Sequence, residues 1–256
     1  MAELLSYIEP GTWLLFFTFW SILALTAASR ERRLRALSRK PWEWAIDTTC
    51  VLIQGAGIPL LQHLVVFAGL LAVVPELQGS VALSGPLAIL CVTFGVDYLY
   101  YWNHRLLHSN ALWPIHLVHH TSDKMDLLVT SRNTLWSSLL LLYLWVNGAA
   151  IFLLEDPSWW LLGVGVTAAL DLWRHSGLQP RGALARLLGT VLILPNDHAG
   201  HHSTHHSQTN YGANFNLWDR LHGSWRGVEE EPAEMGIPSG LSLGRMALWP
   251  FGGGSV

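Results

Sequence analysis

Five stretches of the chain are apolar along most of their length, and polar residues concentrate between them. They cover residues 11–29, 49–75, 81–102, 135–154 and 159–173. A helix needs about 20 mostly apolar residues to cross a bilayer, so the second stretch exceeds one span and the fifth is short. A further run, 187–194, is too short to span and is expected to be interfacial or buried. The pattern predicts an all-α fold, a polytopic membrane helical bundle of about four to five spans.

Composition favours lipid as the solvent for much of this chain. Of its 256 residues, 51% are hydrophobic and 13% are charged, whereas a soluble domain carries about 25% charged residues. The net charge of −3 gives no basis for a nucleic-acid partner. We expect a single membrane domain over residues 1–256, with N-terminal spans over 11–80 and a histidine-rich core over 81–225.

Basic residues predict the orientation of the bundle. Six of them lie in residues 30–40, directly after the first span, and short loops rich in Lys and Arg stay on the cytoplasmic side. Segments 103–134 and 174–256 then also face the cytoplasm, whereas 76–80 and 155–157 lie outside. Thirteen of the fifteen basic residues are Arg, a bias that favours a bacterial source. We therefore expect an inner-membrane protein with a cytoplasmic histidine-rich helical cap.

Twelve of the thirteen histidines lie between His104 and His222, most of them in three clusters with spacings of three and four residues. Such spacings place side chains on one face of a helix. Imidazole is the commonest protein metal ligand and suits iron, zinc and copper. The pattern indicates a centre with more than one metal ion. Its candidate ligands are His104, His108, His116, His119, His120, His175, His198, His201 and His202.

The third cluster has two possible registers, since His198/His201/His202 and His202/His205/His206 share the spacing HxxHH. An acid within a span needs a partner, and ligating histidines usually donate their second N–H to a carboxylate, a carbonyl or water. Asp97 is thus a candidate acceptor for a histidine of the first cluster; the alternative is an acid that caps a helix or binds water at the bilayer surface. Candidates for supporting the ligands are Asp97, His205, His206 and Asp219.

At these residues the chain resembles the fatty acid hydroxylase/sterol desaturase superfamily of integral membrane di-iron proteins. The matching motifs are His104-xxx-His108, His116-xx-His119-His120, Pro195-xx-His198-xx-His201-His202, Asn210-Tyr-Gly and Trp218-Asp-Arg-Leu. The resemblance favours the His198/His201/His202 register. Two departures bear on the substrate: Asn133-Thr134 stands where the family often has His-Pro, and Gly177 where it often has Asn.

The resemblance implies an O2-dependent enzyme with two Fe ions that hydroxylates, or desaturates, an unactivated C–H bond of a fatty-acyl or sterol-like membrane lipid. Zinc could substitute for iron. Electrons would come from a separate protein of the cytochrome b5, ferredoxin or reductase type. We also expect an apolar cavity between the third, fourth and fifth spans, with Trp136 and Trp173 as candidate wall residues.

Two other functions are compatible with a histidine cluster in a membrane protein. One is a zinc-dependent hydrolase, which would need a general base such as the Glu of HExxH; the chain has no such motif. The other is a non-enzymatic metal-binding or transport protein, which would place polar residues through its spans. Only Asp97, Asp171 and His63 fit that description.

Overall fold

The computed structural model describes residues 10–205 and 207–251, and within them it is all-helical, without a β-sheet. The long helices are α1 (Pro10–Ala28), α2 (Arg30–Leu37), α3 (Pro41–Val73), α4 (the consecutive segments Gly85–Leu90, Cys91–Val96 and Asp97–Leu107), α6 (Leu142–Leu153) and α7 (Ser158–His175). The short ones are α5 (Trp113–His116), α8 (Gly182–Leu188), α9 (Pro195–His201), α10 (Leu217–Leu221) and α11 (Leu243–Leu248).

Within the part of the chain that the structure describes, α1 and α3 are long and apolar enough to cross a membrane. Their large apolar side chains point outward rather than into the protein: Phe17, Trp20 and Leu52 are 52–66% exposed. Such surfaces are costly in water and favourable in lipid. The remaining spans of the predicted four to five stay a prediction, because α6 is shorter than a bilayer and α7 carries Asp171 and Arg174.

The boundaries of two predicted spans differ from the observed helices. The second begins earlier, at Pro41, because the segment after this proline is helical and buries an inward face. The fourth begins later, at Leu142, because residues 135–141 form a loop and a 3₁₀ turn, Ser137–Leu140. Gln54 of α3 binds this loop by donating to Thr134 O and accepting from Ser138 Oγ. These long-range hydrogen bonds hold the loop against α3.

Close helix crossings hold the bundle together. A Cβ on Gly165 of α7 would lie 2.5 Å from Gly11 Cα, and one on Gly11 would collide with Leu161 O. Glycine at both positions lets α1 and α7 approach backbone to backbone, as small residues do in membrane proteins. On another face of α7, Gly163 packs against Val92 of α4.

The histidines gather at one end of this bundle, where α4 and α7 both end. The second and third histidine clusters are not continuous helices, contrary to the simplest interpretation of their spacing. The second divides between α5 and the 3₁₀ turn His119–Thr121, and in the third the helix ends at His201, within the motif. Pro195 starts α9, and the Asp197 carboxylate accepts from Leu194 N at 2.9 Å, capping it. The second and third histidine clusters are therefore built from short elements.

Candidate metal centre

Nine buried histidines form two compact groups, and they are the nine that the sequence nominates. Within each group, one ring nitrogen from every member lies within 4.8 Å of the others. The five-histidine group consists of His104, His108, His116, His120 and His201. The four-histidine group consists of His119, His175, His198 and His202. All members are at most 6% exposed.

Adjacent histidines point into different groups. In each HxxHH motif the first and last residues are four apart and share a group, whereas the middle histidine joins the other group. Thus His116 and His120 face the five-histidine group and His119 the four-histidine group. In the third cluster the arrangement is inverted, since His201 belongs to the five-histidine group. Neighbouring residues project about 100° apart around a helical turn, so one short motif can serve two sites.

The two groups lie side by side. The rings of His120 and His202, one from each group, stack with their centroids 4.4 Å apart, and those of His116 and His119 stack at 5.0 Å. The centre is therefore a pair of adjoining sites.

Four backbone carbonyls each orient one histidine ring, two rings in each group. The Nδ1 atoms of His104 and His201 donate to Tyr211 O and Thr209 O at 2.8 and 2.6 Å. In the four-histidine group, His119 donates to Arg132 O at 3.0 Å and His175 to Asp171 O at 2.9 Å. A neutral imidazole carries one N–H, so each Nε2 presents a lone pair to its group.

Burial favours the neutral form of His119 and His201. It is the largest of the causes that lower the pKa of both groups to about 3, and the proximity of His175 to His119 and of Arg174 to His201 acts in the same direction. Burial, followed by the proximity of other histidines, lowers the pKa of His116 and His120 well below the usual range. A neutral imidazole is the form that binds a metal.

The donor set fits a metal ion better than it fits an ordinary protein core. Among the described residues, neither ring nitrogen of His108 or of His120 has a hydrogen-bond partner, although all four atoms are buried. An unpaired buried polar atom is costly. A cation in the five-histidine group would bind one nitrogen of each of these two rings, and imidazole donors suit iron, zinc and copper.

Asp97 has hydrogen-bond partners other than the ligating histidine that the sequence predicts for it. Asp97 is buried, but its Oδ1 accepts from Asn214 N and Nδ2 at 3.0 and 2.9 Å, and its Oδ2 from Trp218 Nε1 at 2.8 Å. It fastens the 214–218 segment to α4, and the Tyr211 carbonyl binds His104 in the role expected of Asp97. His205 is 72% exposed and lies 3.6 Å from Glu234. His206 is outside the described residues.

Asp219 holds the peptide group whose carbonyl binds one of the candidate ligands. Its two carboxylate oxygens accept from Tyr211 N and Gly212 N, both at 2.8 Å, and Tyr211 O is the acceptor for His104.

Sequence reasoning missed Asn210, whose backbone is left-handed at φ 55° and whose Nδ2 donates to Asp197 O and Arg226 O. The Asn-Tyr-Gly motif was its only signal, since asparagine tolerates this conformation.

Two cavities meet beside the histidines. The first, of about 130 Å³, is bordered by His104, His116, His119 and His175, and its opposite wall comes from residues 130–138. The second, of about 200 Å³, lies between α4, α6 and α7 and has apolar walls such as Val92, Val164 and Ala168. Tyr100, Tyr143 and Asp171 line both.

The second cavity lies where the sequence predicts an apolar space, but its walls differ from the prediction. Trp136 and Trp173 line neither cavity, because their indole N–H groups donate to Trp249 O and Leu178 O.

Comparisons with known proteins match the histidine-rich part of the chain. The profile of a family described as fatty acid hydroxylase matches residues 89–224, more than half of the chain. Alkylglycerol monooxygenase from Danio rerio is 30% identical over 142 residues, which cover 51% of this chain and 29% of that protein. Ornithine lipid hydroxylase OlsE from Rhizobium tropici is 29% identical over 176 residues, 66% of this chain and 50% of that protein.

The human alkylglycerol monooxygenase is 28% identical over 146 residues, covering 54% of this chain and 30% of its own length. The match thus spans less than a third of the alkylglycerol monooxygenases and half of the ornithine lipid hydroxylase. No solved structure matches significantly.

Proposed function

The chain belongs to the fatty acid hydroxylase family, and from that premise we propose that it is an O2-dependent di-iron enzyme that hydroxylates, or desaturates, an unactivated C–H bond of a membrane lipid. One observation carries the proposal. Two adjoining groups of neutral, buried histidines border a cavity that meets a second, apolar cavity between helices of the bundle. The relatives named above act on alkylglycerols and an ornithine lipid, which supports a substrate with a long alkyl or acyl chain.

The nine histidines would hold two Fe ions, one in each group, with zinc as a substitute in overexpressed protein. Bound iron would supply the activation of O2 and the oxidation of the C–H bond. The protein's own contribution is positional. The carbonyls of Tyr211, Thr209, Arg132 and Asp171 hold the rings in the tautomer that ligates. The second cavity would hold the alkyl chain in an apolar environment from which water is excluded.

Hydroxylation inserts one atom of O2 into the lipid and releases the other as water. The reaction therefore consumes two electrons and two protons, and desaturation consumes the same number while releasing two waters. We expect the electrons to come from a separate donor protein of the cytochrome b5, ferredoxin or reductase type.

We further propose that the chain has four to five spans in a bacterial inner membrane, with its metal centre facing the cytoplasm. Contacts of the Arg-rich segment support this orientation. Arg35 forms a bidentate ion pair with Glu231 at 2.6 and 2.7 Å, and Arg39 pairs with Asp126. Both acids belong to the segments that surround the histidines, so the basic segment and the metal centre share one side of the membrane.

The experiment combines metal analysis with isotopic labelling. Protein produced with abundant iron should contain about two irons per chain and, with a reductant system and a lipid extract, consume O2. Hydroxylation would transfer label from ¹⁸O2 to the lipid product, whereas desaturation would give an unlabelled product lacking two hydrogens. His104→Ala/His198→Ala is the matched control without activity. Lipid turnover that continues without O2 would reject the proposal in favour of a hydrolase.

A further inference from the structure

Helix α3 carries a buried polar face that the proposed function does not use. Glu43, Asp47, Cys50 and Gln54 follow one another at intervals of four, three and four residues, which aligns them on one face of α3. All four are at most 7% exposed. They lie outside residues 89–224, the part that matches the family. Buried polar groups in an apolar helix are costly unless they are paired.

Asp47 is the most strongly bound residue of this face. Its Oδ1 accepts from Arg132 Nε at 2.5 Å and its Oδ2 from Arg132 Nη2 at 2.8 Å, a bidentate pair. Neither side chain has any exposed surface. Oδ2 also accepts from Arg39 Nε at 2.9 Å. A bidentate fork fixes the orientation of the guanidinium as well as its position.

The rest of the face binds the backbone that follows Arg132. The Cys50 thiol donates to Asn133 O at 3.2 Å, and Gln54 Nε2 donates to Thr134 O. Three successive residues, 132–134, are thus held against α3 by three different side chains. Asn133 of this segment also lines the first cavity.

One backbone oxygen of this segment binds a histidine of the metal centre. Arg132 O accepts the hydrogen bond from His119 Nδ1 at 3.0 Å, and His119 is a member of the four-histidine group. We propose that Asp47 is a positioning residue for the four-histidine group: by clamping Arg132, it holds the carbonyl that selects the ligating tautomer and orientation of His119. The inference rests on the proposed metal centre, and it assigns a role in that centre to the N-terminal part of the chain.

The test measures each group separately in the full-length chain. In His104→Ala/His108→Ala protein, the four-histidine group is the intact one; in His198→Ala/His202→Ala protein, the five-histidine group is. Anaerobic Fe²⁺ affinity is measured by competition with a chelator, with and without Asp47→Asn. We expect Asp47→Asn to weaken the four-histidine group by about 10–100-fold, the usual effect of losing a residue that orients a ligand, and to leave the five-histidine group unchanged.

Two further variants separate positioning from folding. Arg132→Lys keeps the buried charge and the carbonyl but loses the fork, so it should weaken the same group by a smaller factor, even if Asp47→Asn does not fold. Glu231→Gln removes a bidentate pair with Arg35, which includes neither Asp47 nor Arg132, and should leave both affinities unchanged. Equal weakening of both groups, or of neither, would overturn the inference while leaving the proposed function standing. Wild-type protein that binds no metal would overturn both.

Discussion

The Nε2 atoms of His104 and His201 lie 3.1 Å apart, although the Nδ1 atom of each ring already donates a hydrogen bond to a backbone carbonyl. In neutral rings this leaves two lone pairs facing each other. In the four-histidine group the Nε2 atoms of His175 and His198 are 2.9 Å apart, and His175 donates through Nδ1 to Asp171 O. Lone pairs as close as those of His104 and His201 repel each other unless a cation lies between them, so the folded protein should depend on its metal.

Removal of the metal should lower the stability of the folded protein. A ligand that binds only the folded state at a free concentration of 1,000 times its Kd stabilises that state by about 4 kcal/mol. We expect chelation to lower the Tm of the protein in detergent and added Fe²⁺ to restore it. His104→Ala/His198→Ala protein serves as the control, and its Tm should respond much less to the chelator. An unchanged wild-type Tm would argue against bound metal.

The metal-free protein should lose stability as the pH falls below about 6.5. An unfolded histidine takes up a proton near that pH, whereas burial lowers the pKa of His119 and His201 to about 3 in the folded state. Between these values the unfolded state binds more protons, so acidification favours unfolding. Stability should therefore be fully present above about pH 6.5. Chemical unfolding of chelated protein between pH 5 and 8 measures this, and greater stability at pH 5 would contradict it.

The register of the third cluster can be tested by two matched substitutions. His198 is fully buried in the four-histidine group, whereas His205 is 72% exposed. His198→Ala should therefore lower the metal content towards one ion per chain, while His205→Ala should retain about two. Metal analysis of the folded fractions decides between the registers, and loss of metal from the His205 variant but not from the His198 variant would favour the other register.

Ala168 offers a test of the second cavity. Its side chain lines the space between α4, α6 and α7, so Ala168→Phe should fill much of it. We expect activity on long-chain lipids to fall at least tenfold, with the metal content unchanged because Ala168 lines only the second cavity. Leu184→Phe, at an exposed site away from both cavities, is the control. Equal loss of activity in the two variants would show that the second cavity does not hold the lipid chain during catalysis.

The orientation in the membrane can be read from two exposed acids. Glu155 and Asp123 are both exposed, and the proposed topology puts Glu155 outside and Asp123 in the cytoplasm. In a background with Cys50 and Cys91 replaced by alanine, a Cys at 155 should react with a membrane-impermeant thiol reagent in intact cells. A Cys at 123 should react only after lysis. The reverse pattern would invert the topology.

Much of the candidate centre is encoded locally and can therefore be predicted from the sequence. Intervals of three and four residues decide which histidines project together, and runs of apolar residues decide which segments avoid water. These relationships involve neighbours along the chain. The nine buried histidines and the all-helical fold follow from them. Spacing did not predict where the helices in the second and third clusters end. In the third cluster α9 begins at Pro195 and ends at His201, yet its histidines still belong to the two groups.

Only the tertiary structure decided how the histidines divide and what holds them. His120 and His202 stack although they are far apart in the chain, and Arg132 meets Asp47 across 85 positions. Asp97 binds Asn214 and Trp218 rather than a histidine, because the segment that carries these two residues packs against α4. Hydrogen bonds and ion pairs act over a few ångströms in space. Spacing along the chain does not specify them until packing has brought the partners together.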